Sequence, residues 1–134
     1  MIDSSVTIAW LFSDEQTDAV REVLSAVALS GAIVPTLWRV EVASALQAAI
    51  RRGRIDANYR DTSIADLQTL DISIAGEGDR HIWNTTLTFA DRFGLTVYDA
   101  VYLELAQRLA LPLASLDRQL RRAGDALGLT LLGM

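Results

Sequence analysis

The chain has no cysteine and no lysine, one histidine and only two prolines. Without cysteine there is no disulfide and no thiolate metal centre, a composition that fits a cytoplasmic protein. Without lysine there is no P-loop, and the GxxxxGK[ST] pattern is missing as well. Phosphatases with an aspartyl nucleophile, and receiver domains, also rely on a lysine. The one histidine, His81, lies beside Arg80 near the start of an expected helix, where solvation or capping is its expected role. Ser-His-Asp chemistry therefore falls away. No apolar run approaches the roughly 18 residues of a membrane span. No basic stretch precedes an apolar one near the N-terminus, as a secretory leader would require.

What is present is apolar and acidic. Hydrophobic residues make up 51% of 134 positions, and the mean hydropathy is +0.24. That length predicts one domain over residues 1–134 with a substantial core. The excess apolar surface predicts a protein partner or a dimer. All twelve basic residues are arginine; against seventeen acids they give a net charge of −5.

Four acids stand where the pattern is otherwise apolar: Asp3, Glu41, Asp99 and Asp117. Asp3 follows Met1-Ile2. Glu41 lies among Val40, Val42, Ala43, Ala45 and Leu46. Asp99 opens Ala100-Val101-Tyr102-Leu103, and Asp117 ends Leu113-Ala114-Ser115-Leu116. Setting these four aside leaves a net charge of −1, so the negative excess is concentrated in one set of residues. A buried carboxylate that stays charged needs a cation. The positions three and four residues from Glu41 and Asp99 carry no base, so neither is a surface helix ion pair.

The pattern along the chain alternates short apolar strands with helices. Residues 1–5 read as a short strand running into a turn. Ser13 and Gln16 have capping-box spacing ahead of a helix that places Val20, Val23, Leu24 and Val27 on one face and ends at Gly31. A strand at 32–34 stops at Pro35. Thr36 heads a helix to about Arg52, and Asp56 heads another to about Thr69. Residues 71–74 form a strand, and Asp79 is positioned to cap a helix ending at Phe93-Gly94. A helix from about Tyr98 to Leu109, a strand at 113–116, a helix at 118–127 and a strand at 129–132 complete the order. Such alternation predicts an α/β fold with a parallel sheet covered on both faces. Ligands in such folds sit at the carboxyl ends of strands. Each of the four acids follows a strand-like run or opens the helix after one.

Carboxylates gathered in this way suit hard cations. Mg²⁺ and Mn²⁺ prefer oxygen ligands and retain water. One or two such ions can activate water and neutralise charge on a phosphate, the chemistry of phosphodiester hydrolysis.

These residues resemble the PIN-domain ribonucleases, specifically the bacterial VapC-type toxins of toxin–antitoxin pairs. IDSSVTIAWLF (2–12), VEVASAL (40–46), TVYDAVYLELA (96–106) and LASLDRQL (113–120) look like the four family motifs, nearly end to end. The resemblance implies a three-layer α/β/α fold with a short, mostly parallel central sheet. It implies that Asp3, Glu41, Asp99 and Asp117 are both metal ligands and catalytic acids, with Ser5 and Ser115 shaping the site. It further implies Mg²⁺ or Mn²⁺, one or two ions, an RNA substrate, a cognate antitoxin and a homodimer. The chain departs from the family in three places. Two apolar residues, rather than three or four, precede Asp3; Ser44 replaces a common asparagine; Ser115 replaces a common threonine and keeps the hydroxyl. A catalytically silent PIN-like binding module and a metal-dependent DNA nuclease are the alternative readings.

Other residues have plainer expectations. Trp10, Trp38 and Trp83 read as core or interface residues. Glu104, about 140° around a helix from Asp99, points away from the acids. Asp91 reads as solvated. Arg51, Arg52, Arg54 and Arg60 read as a solvated face. Arg118, Arg121 and Arg122, just past Asp117, are candidates for RNA phosphate contact.

Overall fold

A computed structural model describes residues 1–134. Helix α1 (Ser4–Leu11) follows the first residues directly, and α2 (Asp18–Ser30) leads into strand β1 (Ala32–Val34). Two helices, α3 (Leu37–Arg51) and α4 (Ala57–Gln68), precede β2 (Ile72–Ile74). After a 3₁₀ turn and a π turn come α5 (Leu87–Phe93), α6 (Val97–Arg108), β3 (Leu113–Ala114), α7 (Arg118–Ala126) and β4 (Leu131–Leu132). β1 and β2 pair in parallel, as do β3 and β4, and Ile2 adds a parallel bridge to Ala114. These two short parallel pairs lie among the helices, in keeping with the expected three-layer α/β/α fold. No helix is long and apolar enough to cross a membrane.

Local chemistry explains the boundaries. Asp56 caps α4 as expected, its Oδ1 accepting from the Tyr59 N–H at 2.8 Å. Gly94 ends α5 in the left-handed conformation. The first strand is reduced to one bridge at Ile2, because the Asp3 carboxylate accepts from the Val6 N–H and starts a helix at once. The strand at 32–34 forms as expected, whereas those expected at 71–74, 113–116 and 129–132 are shorter. Leu116 and Asp117 leave the ladder to form the cap of α7.

Three expected caps do not form. Thr36 precedes α3 in helical conformation and makes no side-chain cap hydrogen bond. Ser13 does not cap α2; Ser13–Glu15 form a 3₁₀ turn, and Thr17 caps the helix through its Oγ1. Gln16 instead donates to the Trp10 carbonyl. Asp79 does not cap a single helix to Gly94. That stretch is a 3₁₀ turn (Gly78–His81), a π turn (Ile82–Thr86) and then α5.

One apolar cluster of 26 buried residues joins all layers. Trp10 and Trp38 belong to it, whereas Trp83 is 88% exposed. Glu104 points away from the acids, but it is buried rather than solvated. It pairs with Arg108 (2.7 Å) and faces His81 (3.7 Å).

Gly31 joins α2 to β1 with φ +75° and ψ −177°, a region open essentially to glycine alone. An added Cβ would lie 2.7 Å from the Asp71 carbonyl oxygen. Gly31→Ala should therefore cost about 2–3 kcal/mol, read from the denaturant midpoint. A variant within about 0.5 kcal/mol of wild type would show that this turn relaxes freely.

Candidate active site

Three of the acids, Asp3, Asp99 and Asp117, stand at the starts of helices. Asp3 is the N-cap of α1 and only 4% exposed. Its Oδ1 accepts from Ser5 Oγ at 2.6 Å and the Val6 N–H at 3.1 Å, and its Oδ2 accepts from Ser115 Oγ. Both serines also accept from the loop that carries the last acid. Ser5 Oγ takes the Leu116 N–H at 2.9 Å, and Ser115 Oγ takes the Asp117 N–H at 3.0 Å. A carboxylate from the first residues and a loop 112 residues later are thereby held in one hydrogen-bonded unit. Asp117 caps α7, its Oδ1 accepting from the Leu120 N–H at 2.8 Å.

Glu41 lies in the second turn of α3 and Asp99 in the first turn of α6. Thr96 Oγ1 accepts from the Asp99 N–H at 3.1 Å and sets where α6 begins. The buried Tyr102, one turn after Asp99, donates from its hydroxyl to Glu41 Oε1 at 2.6 Å. Trp38, one turn before Glu41, donates from Nε1 to Thr7 Oγ1 at 2.9 Å, and Thr7 donates in turn to the Asp3 carbonyl at 3.1 Å. These contacts lock α3 to α1 and to α6.

Neither Tyr102 nor Thr7 was expected at the site. The spacing of three between Asp99 and Tyr102 places both on one helix face, which is the signal that would have found the tyrosine. Thr7 was hidden because residues 1–5 read as strand and turn rather than as a helix start.

A PIN domain model matches residues 1–126. The chain belongs to the PIN-domain family. Members of the family are generally metal-dependent nucleases. Among solved structures, the crystal structure of PAE2754 from Pyrobaculum aerophilum is similar, with a TM-score of 0.63 and 20% identity. The match covers 91% of this chain and 82% of that one, and it shows the fold alone. No curated protein matches the chain.

The PIN domain's acids repel one another. Burial pushes the Asp3 carboxyl up; hydrogen bonds from Ser115, Ser5 and Val6 pull it back, and the charge of Asp99 adds to the rise. Burial likewise raises Glu41, against the Tyr102 hydrogen bond, with Asp99 and Asp3 adding repulsion. Burial and then the charge of Asp117 raise Asp99. Asp99 is the common neighbour in these repulsions. The Tyr102 phenol is pushed far up by burial and by Glu41, so it stays a donor.

The donor set fits a hard divalent cation. None of the four acids takes part in any ion pair of the structure. No three of them lie close enough to close around one ion as they stand. Magnesium does not demand that, because it is commonly held by one or two carboxylates with water and substrate phosphate completing the shell. Of the three arginines near Asp117, Arg118 and Arg122 are exposed. Arg121 is instead engaged with backbone carbonyls.

The raised pKa values give a pH dependence with a definite sign. Asp3, Glu41 and Asp99 hold protons more tightly in the folded state than in the unfolded one. Their contribution is complete below the ordinary carboxylate range and is lost as pH rises through the raised values. In EDTA, Asp99→Asn should therefore melt at or above wild type near about pH 7.5, with the gap closing toward about pH 4. Melts across that range check this. A wild type that gains on the variant as pH rises would contradict it.

Proposed function

We propose that this PIN domain, spanning residues 1–134, is a metal-dependent endoribonuclease and the toxin of a toxin–antitoxin pair. The observation that carries the reading is the clamped, unpaired acid set. Asp3 and Glu41 feel the charge of Asp99, and Asp99 feels that of Asp117, yet none of the four is paired with an arginine, although the chain holds twelve. Repulsion of this kind is costly to keep and is relieved by a divalent cation.

In this reading Asp3, Glu41, Asp99 and Asp117 hold one or two Mg²⁺ or Mn²⁺ ions. The bound ion supplies Lewis acidity at the phosphate and an acidified water. The chain's own residues supply the geometry. Ser5 and Ser115 fix both oxygens of Asp3, so that carboxylate cannot rotate away. Tyr102 holds one oxygen of Glu41. Arg118 and Arg122, exposed at the start of α7 beside Asp117, provide positive charge for RNA phosphate. An open groove of about 660 Å³, lined by Ser4, Glu41 and Tyr98 and also by Arg52 and Arg54, gives a polymer access to Glu41.

Exposed apolar residues support the partner part of the reading. Leu29 and Trp83 are each 88% exposed, and Val40 is 63% exposed. Such surface fits a homodimer and an antitoxin segment that cover it. A cytoplasmic location follows from a toxin that acts on cellular RNA.

The test is cleavage of single-stranded RNA and DNA in Mg²⁺ or Mn²⁺ and in EDTA. RNA cleavage should require the ion, and Asp99→Asn should lower it at least about 100-fold, equivalent to about 3 kcal/mol of transition-state stabilisation. Asp56→Asn, at a surface cap, should leave cleavage unchanged. Full activity in EDTA would end the metal reading, and cleavage of DNA alone would end the RNA one. An equimolar antitoxin that left cleavage intact would remove the toxin assignment.

A further inference from the structure

The β3–β4 ladder stops one rung short of the site. Ser115 N–H donates to the Leu132 carbonyl at 3.3 Å. In a continuing parallel ladder the next rung would bring the residue after Gly133 to the Ser115 carbonyl. Gly133 turns the chain aside with φ +98°, and that rung does not form. The Ser115 carbonyl is left facing the start of α7. Arg121, one turn into α7 after Asp117, takes its place. Its Nη1 donates to the Ser115 carbonyl at 2.8 Å and to the Leu132 carbonyl at 2.7 Å. One planar nitrogen with two hydrogens thus bridges the two strand ends.

Ser115 is the residue whose hydroxyl joins Asp3 to the Asp117 backbone. We infer that Arg121 is a positioning residue: by holding the Ser115 carbonyl it sets the aim of the Ser115 hydroxyl and thereby the alignment of Asp3 and Asp117 for a divalent ion. The inference rests on the metal reading above. It assigns to Arg121 a task different from that of its exposed neighbours Arg118 and Arg122, which face solvent.

Charge and positioning predict opposite signs. Removing a positive charge beside an acidic site should, by Coulomb's law alone, tighten cation binding. Removing a positioning residue should weaken it, by the roughly 10–100-fold typical of groups that orient metal ligands. Mn²⁺ affinity measured without RNA, by the electron paramagnetic resonance signal of free Mn²⁺, separates the two. Arg121→Met should bind Mn²⁺ about 10-fold more weakly than wild type, with the KM for RNA within about 2-fold. Arg121→Lys keeps the charge but not the planar fork, and it should fall between them. Arg118→Met should do the reverse, raising KM without weakening Mn²⁺ binding. Should Arg121→Met fail to fold in a thermal melt, the lysine variant carries the test. Unchanged or tighter Mn²⁺ binding in the folded Arg121 variants overturns the inference, as does a raised KM with normal Mn²⁺ binding. A wild type that binds no Mn²⁺ overturns the metal reading itself, and the inference with it.

Discussion

The Asp3 carboxylate, buried between two serine hydroxyls, is the constraint on which the site depends. A buried carboxylate without partners would be severely destabilising. Ser5, Val6 and Ser115 supply those partners, and the same two serines accept from the amides of Leu116 and Asp117. Satisfying one buried acid therefore fixes the loop that carries another. The unit closes over 112 residues of chain, so it forms only once β3 has taken its place beside Ile2.

The rest of the site repeats this logic at the spacing of one helical turn. Glu41 stands one turn from Trp38, which ties α3 to α1; Asp99 stands one turn from Tyr102, which ties α6 to Glu41; Asp117 stands one turn from Arg121, which ties α7 to the sheet. Each acid thus rides on a helix whose rotation is set by a neighbour on the same face. The arrangement holds like charges together by directional bonds from neutral donors. Cationic partners would have satisfied the acids and left no site for an external ion.

The four candidate acids stood out in the sequence because each interrupts an apolar stretch, Glu41 and Asp99 without a base at ion-pair spacing. The helices α3, α4 and α6 were legible from apolar periodicity and from caps such as Asp56. The supporting residues were harder to read. Tyr102 and Trp38 look like ordinary core aromatics, and only the fold brings the hydroxyl of one to Glu41 and the indole of the other to Thr7. Arg121 looks like one of three basic residues in a row, and its role depends on where Gly133 breaks the ladder. Ser13 and Asp79 failed as caps because capping depends on where the chain turns, and the 3₁₀ and π turns there obey tertiary packing rather than local spacing. The strand at 113–116 was overestimated for a related reason: Leu116 continues an apolar run in sequence but leads into the cap of α7 in space.

The central claim is that acids from four segments together bind divalent cation. The most direct measurement is Mn²⁺-induced broadening of backbone amide resonances at substoichiometric ion. The account predicts that the signals of Val6, Glu41, Asp99 and Asp117 broaden first and together, with Asp3→Asn abolishing the effect. Broadening that begins at the exposed acids Asp14, Asp18 and Asp61, or that spreads evenly over the surface, would contradict it.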